Sequence, residues 1–75
     1  MAFVTDSTGA IQSRFIYREE IDATYIYSGQ ADPGTATSAA SWSISRETIA
    51  DGSINYASGG AFTQIWDNRA ALSYA

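Results

Sequence analysis

Short alternations of apolar and polar residues run through most of this chain, and turn-forming clusters break them at close intervals. The clearest alternation covers 23–28. Ala23, Tyr25 and Tyr27 fall on one side of an extended segment, and Thr24, Ile26 and Ser28 on the other, because successive side chains of a strand point to opposite faces. A second alternation covers 41–49. It puts Trp42, Ile44, Arg46 and Thr48 on one face and Ser43, Ser45, Glu47 and Ile49 on the other, and the Trp42/Ile44 side is expected to be core. A third segment, 12–18, places Phe15 and Tyr17 opposite Arg14, Ile16 and Arg18.

Between these strands the residue types change. Residues 18–22, REEID, read as a charged, turn-like link. Residues 29–40 read as a loop around Asp32-Pro33-Gly34, where Pro presets φ for a tight turn and Gly is free to take φ > 0. Asp51-Gly52 is a two-residue hairpin signal. It predicts a return strand over 53–57 with Ile54 and Tyr56 facing inward. Phe62, Ile65 and Trp66 stand at i, i+3 and i+4, the spacing of one helical turn. A last strand is expected over 70–74, with Leu72 and Tyr74 on one side. DSTGA at 6–10 is a turn cluster, which leaves the first residues as an edge strand or loose arm.

The expected fold is therefore all-β: a small antiparallel sandwich or partly open barrel of about five strands with one short helical turn. Residues 1–75 form one domain, with 1–10 as a possible N-terminal arm. Expected core anchors are Tyr25, Tyr27, Trp42, Ile44, Ile54, Tyr56, Phe62 and Leu72.

Size and charge narrow the function. A chain of 75 residues has a thin core, and natural domains this small usually add disulfides, a metal or partner subunits. Cys and His are both absent, so disulfides and thiolate or imidazole metal sites are excluded. Oligomerisation or docking on a larger assembly is the remaining support. The net charge is −4, Lys is absent, and Arg14, Arg18, Arg46 and Arg69 are scattered. Phosphate-backbone binding and polybasic membrane contact need clustered cations, so neither nucleic acid nor membrane is an expected partner. The opening MAFVTDSTGA lacks the charged and apolar regions of a signal peptide.

The anchors come in a definite order. Tyr25-Ile26-Tyr27-x-Gly29-x-Ala31-x-Pro33-Gly34 leads into Thr35-Ala36-Thr37-Ser38 and Trp42-x-Ile44-x-Arg46. Tyr56-Ala57-Ser58-Gly59 follows, and then Phe62-x-x-Ile65-Trp66-Asp67-Asn68-Arg69-x-x-Leu72-x-Tyr74. This succession resembles a family of small structural proteins of tailed bacteriophages and covers residues 23–74. Ser28 and Ser45 depart from it, the latter standing where the family usually carries Lys. The resemblance implies a virion component rather than an enzyme, without cofactors, present in many copies beside other virion proteins. The tail, adhesin region or neck is favoured over capsid decoration.

Each candidate site has a bland reading beside the functional one. Trp66-Asp67-Asn68-Arg69 is either a structural corner, with Arg69 paired to Asp67 or a neighbouring carboxylate, or a partner contact of Trp and Arg hot-spot type. Asp32, Pro33 and Gly34 are either a plain surface turn or a contact loop. Trp42 with Tyr25, Tyr27, Tyr56 and Tyr74 packs the core or offers rings to sugars. The latter is the alternative function, a host-surface carbohydrate-binding module. Glu19-Glu20 is the only carboxylate pair adjacent in sequence, and in a strand its members point apart, so it is read as solvated charge. With no His, Cys or Lys, acid–base or nucleophilic chemistry has few candidates and no catalytic residue is proposed. Asp32 and Asp51 fit turn chemistry, and no loop has the spacing of a calcium-binding EF-hand.

Overall fold

A computed structural model describes residues 15–75. The expected arm at 1–10 and the start of the segment at 12–18 lie outside the described residues. Five strands follow: β1 (Ile16–Ile21), β2 (Tyr25–Ala31), β3 (Ala40–Thr48), β4 (Ile54–Tyr56) and β5 (Gln64–Ile65). A 3-10 helix over Trp66–Ala71 comes after them. The fold is all-β, as the alternations predict. β1 to β4 pair in chain order, antiparallel throughout, and β5 pairs with the start of β3. The result is one open sheet.

Register assigns the two faces. Arg18, Gly29 and Ile44 lie opposite one another across β1, β2 and β3. So do Glu20, Tyr27 and Arg46, with Asn55 of β4 completing that row. This face carries the core. Tyr27, Ala31, Trp42, Ile44, Ala57 and Trp66 are buried, and Ile16, Tyr25, Leu72 and Tyr74 pack against them. The 3-10 helix lies over this face, because its first residue, Trp66, is a core member.

The other face belongs to a different set. Glu19, Ser28, Ser45 and Tyr56 form one row across β1 to β4. Ile21, Ile26, Glu47 and Ile54 form another. Ile54 and Tyr56 are therefore not core anchors. They are 55% and 48% exposed, because their partners Glu47 and Ser45 lie on the face away from Trp42 and Ile44.

Other boundaries move for physical reasons. Residues 18–21 are strand rather than link, since Arg18, Glu19 and Glu20 are paired with Gly29, Ser28 and Tyr27. Their side chains are exposed, which an edge strand permits. The turn shrinks to the residues around Asp22, whose Oδ1 accepts from the N–H groups of Thr24 and Tyr25 at 2.7 Å each. β2 runs on through Gly29 to Ala31, so the loop begins at Asp32. The β3–β4 hairpin lies where Asp51-Gly52 predicts it, but the Thr48 N–H donates to Ser53 O at 2.8 Å and leaves a longer loop.

The expected helical turn at 62–66 is displaced. Gln64–Ile65 is strand, and the helix starts at Trp66. Phe62 is consequently not a core anchor. It is 42% exposed and stacks on Phe15 at 5.3 Å. Of the expected strand at 70–74, only Tyr74 pairs, in a single bridge to Ala57. No helix of the described residues is long and apolar enough to cross a membrane.

Candidate functional site

The tightest packing in the domain joins the sheet to the 3-10 helix. Gly29 is buried in β2, and a Cβ there would lie 2.6 Å from Cε3 and Cζ3 of Trp66 and 3.2 Å from Cε3 of Trp42. Only a residue without a side chain lets the indole lie on the strand. Trp42 and Trp66 meet with ring centroids 5.8 Å apart. The Trp42 Nε1–H donates to Ala36 O at 2.9 Å, which satisfies the one polar group of a fully buried side chain and holds the 32–39 loop against the sheet.

Arg69 fastens the helix. Its Nη1 donates to Trp66 O at 3.0 Å, its guanidinium stands 4.8 Å from the centre of the Trp66 ring, and its Nη2 forms an ion pair with Glu20 of β1. The Tyr74 hydroxyl donates to Arg69 O at 2.7 Å. The Asp67 N–H donates to Thr37 O at 3.1 Å, tying the helix to the loop. The 66–69 cluster is thus an internal latch, with Glu20 as the carboxylate partner of Arg69. Trp66 faces inward and offers no side chain to a partner. Asp67 is exposed and Arg69 is half-buried.

Beside the latch, Arg46 lies between two aromatic rings, 4.3 Å from the Tyr25 centroid and 4.5 Å from that of Tyr74. Its buried Nε makes no hydrogen bond among the described residues. Ring quadrupoles stabilise the cation in place of a carboxylate. Burial, reinforced by Tyr27, pushes the Tyr74 phenol up to about 12. Burial, reinforced by Asp22, also raises Tyr27.

Asp32, Pro33 and Gly34 sit at an exposed turn on the loop between β2 and β3. Asp32 O accepts from the Thr35 N–H at 3.1 Å and from its Oγ1 at 2.7 Å, and Gly34 takes φ 86°. This is the turn in which Pro sets the first central residue and Gly the second. All three residues of the tip are exposed.

The open face of the sheet completes the accessible surface. A groove of about 520 Å³ runs across it, and its floor is Ser28, Gly29, Ser43 and Ser45. Tyr17, Gln30, Glu19 and Tyr56 also line it. Of these, the sequence singles out Glu19 as solvated charge and Tyr56 as a core anchor or a ring offered to sugars. The signal was present in the alternation of 41–49, which puts Ser43 and Ser45 on one face. Recognising a site also required the pairings Tyr17–Gln30–Ser43 and Glu19–Ser28–Ser45. Among the described residues no acidic cluster could hold a metal ion. No family model, curated protein or solved structure matches the chain.

Proposed function

We propose that this chain is a non-enzymatic structural component of a tailed-phage virion, assembling in multiple copies through protein–protein contacts in the tail, adhesin region or neck. The observation that carries this reading is the ordered set of anchors over 23–74. Part of this set packs together in the fold: Gly29 and Trp42 lie against Trp66, Arg69 bonds to Trp66 O, and Tyr74 bonds to Arg69 O.

Two further features support assembly. The buried core is small, while Ile21, Ile49, Ile54 and Phe62 stay exposed among the described residues. A domain with so little interior gains most from burying outer surface against neighbours. β1 pairs with β2 on one side, and its other edge has no strand beside it among the described residues. Strand addition from a neighbouring subunit fits such an edge. The exposed Asp32-Pro33-Gly34 turn is a second contact point. The test is mass spectrometry of density-purified particles from a lysate carrying this gene. The reading predicts peptides of this chain at several copies per particle. Their absence from particles, with the protein abundant in the soluble lysate, would overturn it.

A further inference from the structure

We infer that the open face of the sheet binds a short neutral oligosaccharide along the groove between Tyr17 and Tyr56. This inference does not depend on the virion reading. It rests on the composition of the groove and on its geometry. Ser28, Ser43 and Ser45 line the groove with short side chains, beside the Gly29 backbone. Short floor residues beside long Tyr side chains make a trough on an otherwise flat surface.

The walls are aromatic and accessible. Tyr17 is 66% exposed and Tyr56 48% exposed. Tyr17 belongs to β1 and Tyr56 to β4. Three strand spacings separate them, about 14 Å across the sheet. Two rings at that separation can each take the apolar face of one sugar unit at the two ends of a short chain. Between them the hydroxyls of Ser28, Ser43 and Ser45 and the amide of Gln30 both donate and accept, as a polyhydroxylated ligand requires. Glu19 adds a carboxylate that accepts from sugar hydroxyls.

Other ligand classes fit less well. A protein partner would want an apolar centre with a polar rim. Here the centre is serine, and the row at one end, Ile21, Ile26, Glu47 and Ile54, is interrupted by a carboxylate. A nucleic acid could stack on the rings, but the backbone would need cations. The groove has only Arg18, which Glu19 offsets. The two tryptophans cannot serve this purpose, since both are buried on the opposite face.

The test uses the full chain and three defined probes: cellotetraose, maltotetraose and N-acetylated chitotetraose. Each is titrated to millimolar concentration while backbone amide shifts are followed by NMR. At least one probe should shift the amides of Ser28, Gln30, Ser43 and Ser45. Tyr17→Ala and Tyr56→Ala should each weaken that binding about tenfold, the loss of one stacking partner. Unchanged near-ultraviolet dichroism from Trp42 and Trp66 would establish that both variants remain folded. The inference fails if no probe shifts those amides, or if both variants bind as the parent does. It also fails if the same amides are already covered by a second copy of the chain and Tyr17→Ala releases a monomer, because the face is then a subunit interface.

Discussion

Gly29 lies directly beneath the indole of Trp66, so close that a methyl group on the glycine would fall 2.6 Å from two ring carbons. The backbone of Gly29 is ordinary strand, paired to Arg18 on one side and Ile44 on the other. Glycine is therefore required here for space and not for an unusual φ. Gly29→Ala should push Trp66 off the sheet and cost about 2–3 kcal/mol, in the range of overpacked cores. Urea denaturation of the variant measures this. An unchanged midpoint would mean that the indole has room to move.

Glu20 and Arg69 should contribute unequally to the latch. The ion pair is partly exposed, and such pairs contribute about 0–1 kcal/mol. Glu20→Gln should accordingly be nearly neutral. Arg69→Ala also removes the contact with the Trp66 ring and the bond to Trp66 O, and should cost about 1–2 kcal/mol. Equal losses in the two variants, compared by urea denaturation, would contradict this division.

Alkaline pH should loosen the latch. The Tyr74 phenol has an ordinary value of 10.0, raised in the fold to about 12. Between these values the folded state holds a proton that the unfolded state has released, so stability falls as pH rises. The contribution of Tyr74 is fully present below pH 10 and lost as pH approaches about 12. The raised Tyr27 acts in the same direction. Tyr74→Phe should flatten the decline of the melting temperature over this window, and an unchanged slope would exclude Tyr74 as a source. At the acid end the signs reverse. Hydrogen bonds from Tyr25 and Thr24 hold Asp22 below its ordinary 3.8, and those from Ser53 hold Asp51 below the same value. Their contributions are present above pH 3.8 and lost below it.

Both tryptophans should report a dry interior. Trp42 is fully buried and Trp66 is 5% exposed. Their emission should be blue-shifted, weakly quenched by acrylamide and unmoved by sugars, including any sugar bound on the opposite face. Strong quenching would place one indole at the surface.

The core face of β3 was legible in the sequence because Trp42 and Ile44 alternate with Ser41, Ser43 and Ser45. The turn at Asp32-Pro33-Gly34 was legible because Pro presets one φ and Gly alone takes the positive φ that follows at no steric cost. In β4, apolar character alone points Ile54 and Tyr56 inward, and the structure turns both outward. Hairpin parity decides the face. A loop of two or four residues pairs Ile54 with an odd-numbered residue of β3, and Glu47 is the observed partner. Ile54 is thereby placed away from Trp42. In the sequence Gly29 opens the loop of 29–40, whereas in the fold it is a paired residue of β2. Its reason for being there is Trp66, far along the chain, and no local pattern reveals that contact. The groove was hidden in the same way, because it exists only once Tyr17, Ser28, Ser45 and Tyr56 are brought side by side by register.

The central claim is that this small domain completes itself by assembly. Light scattering of the purified protein across a concentration series tests it most directly. The account predicts a stable particle whose mass is a multiple of 8.0 kDa. A well-folded monomer at every concentration would contradict it.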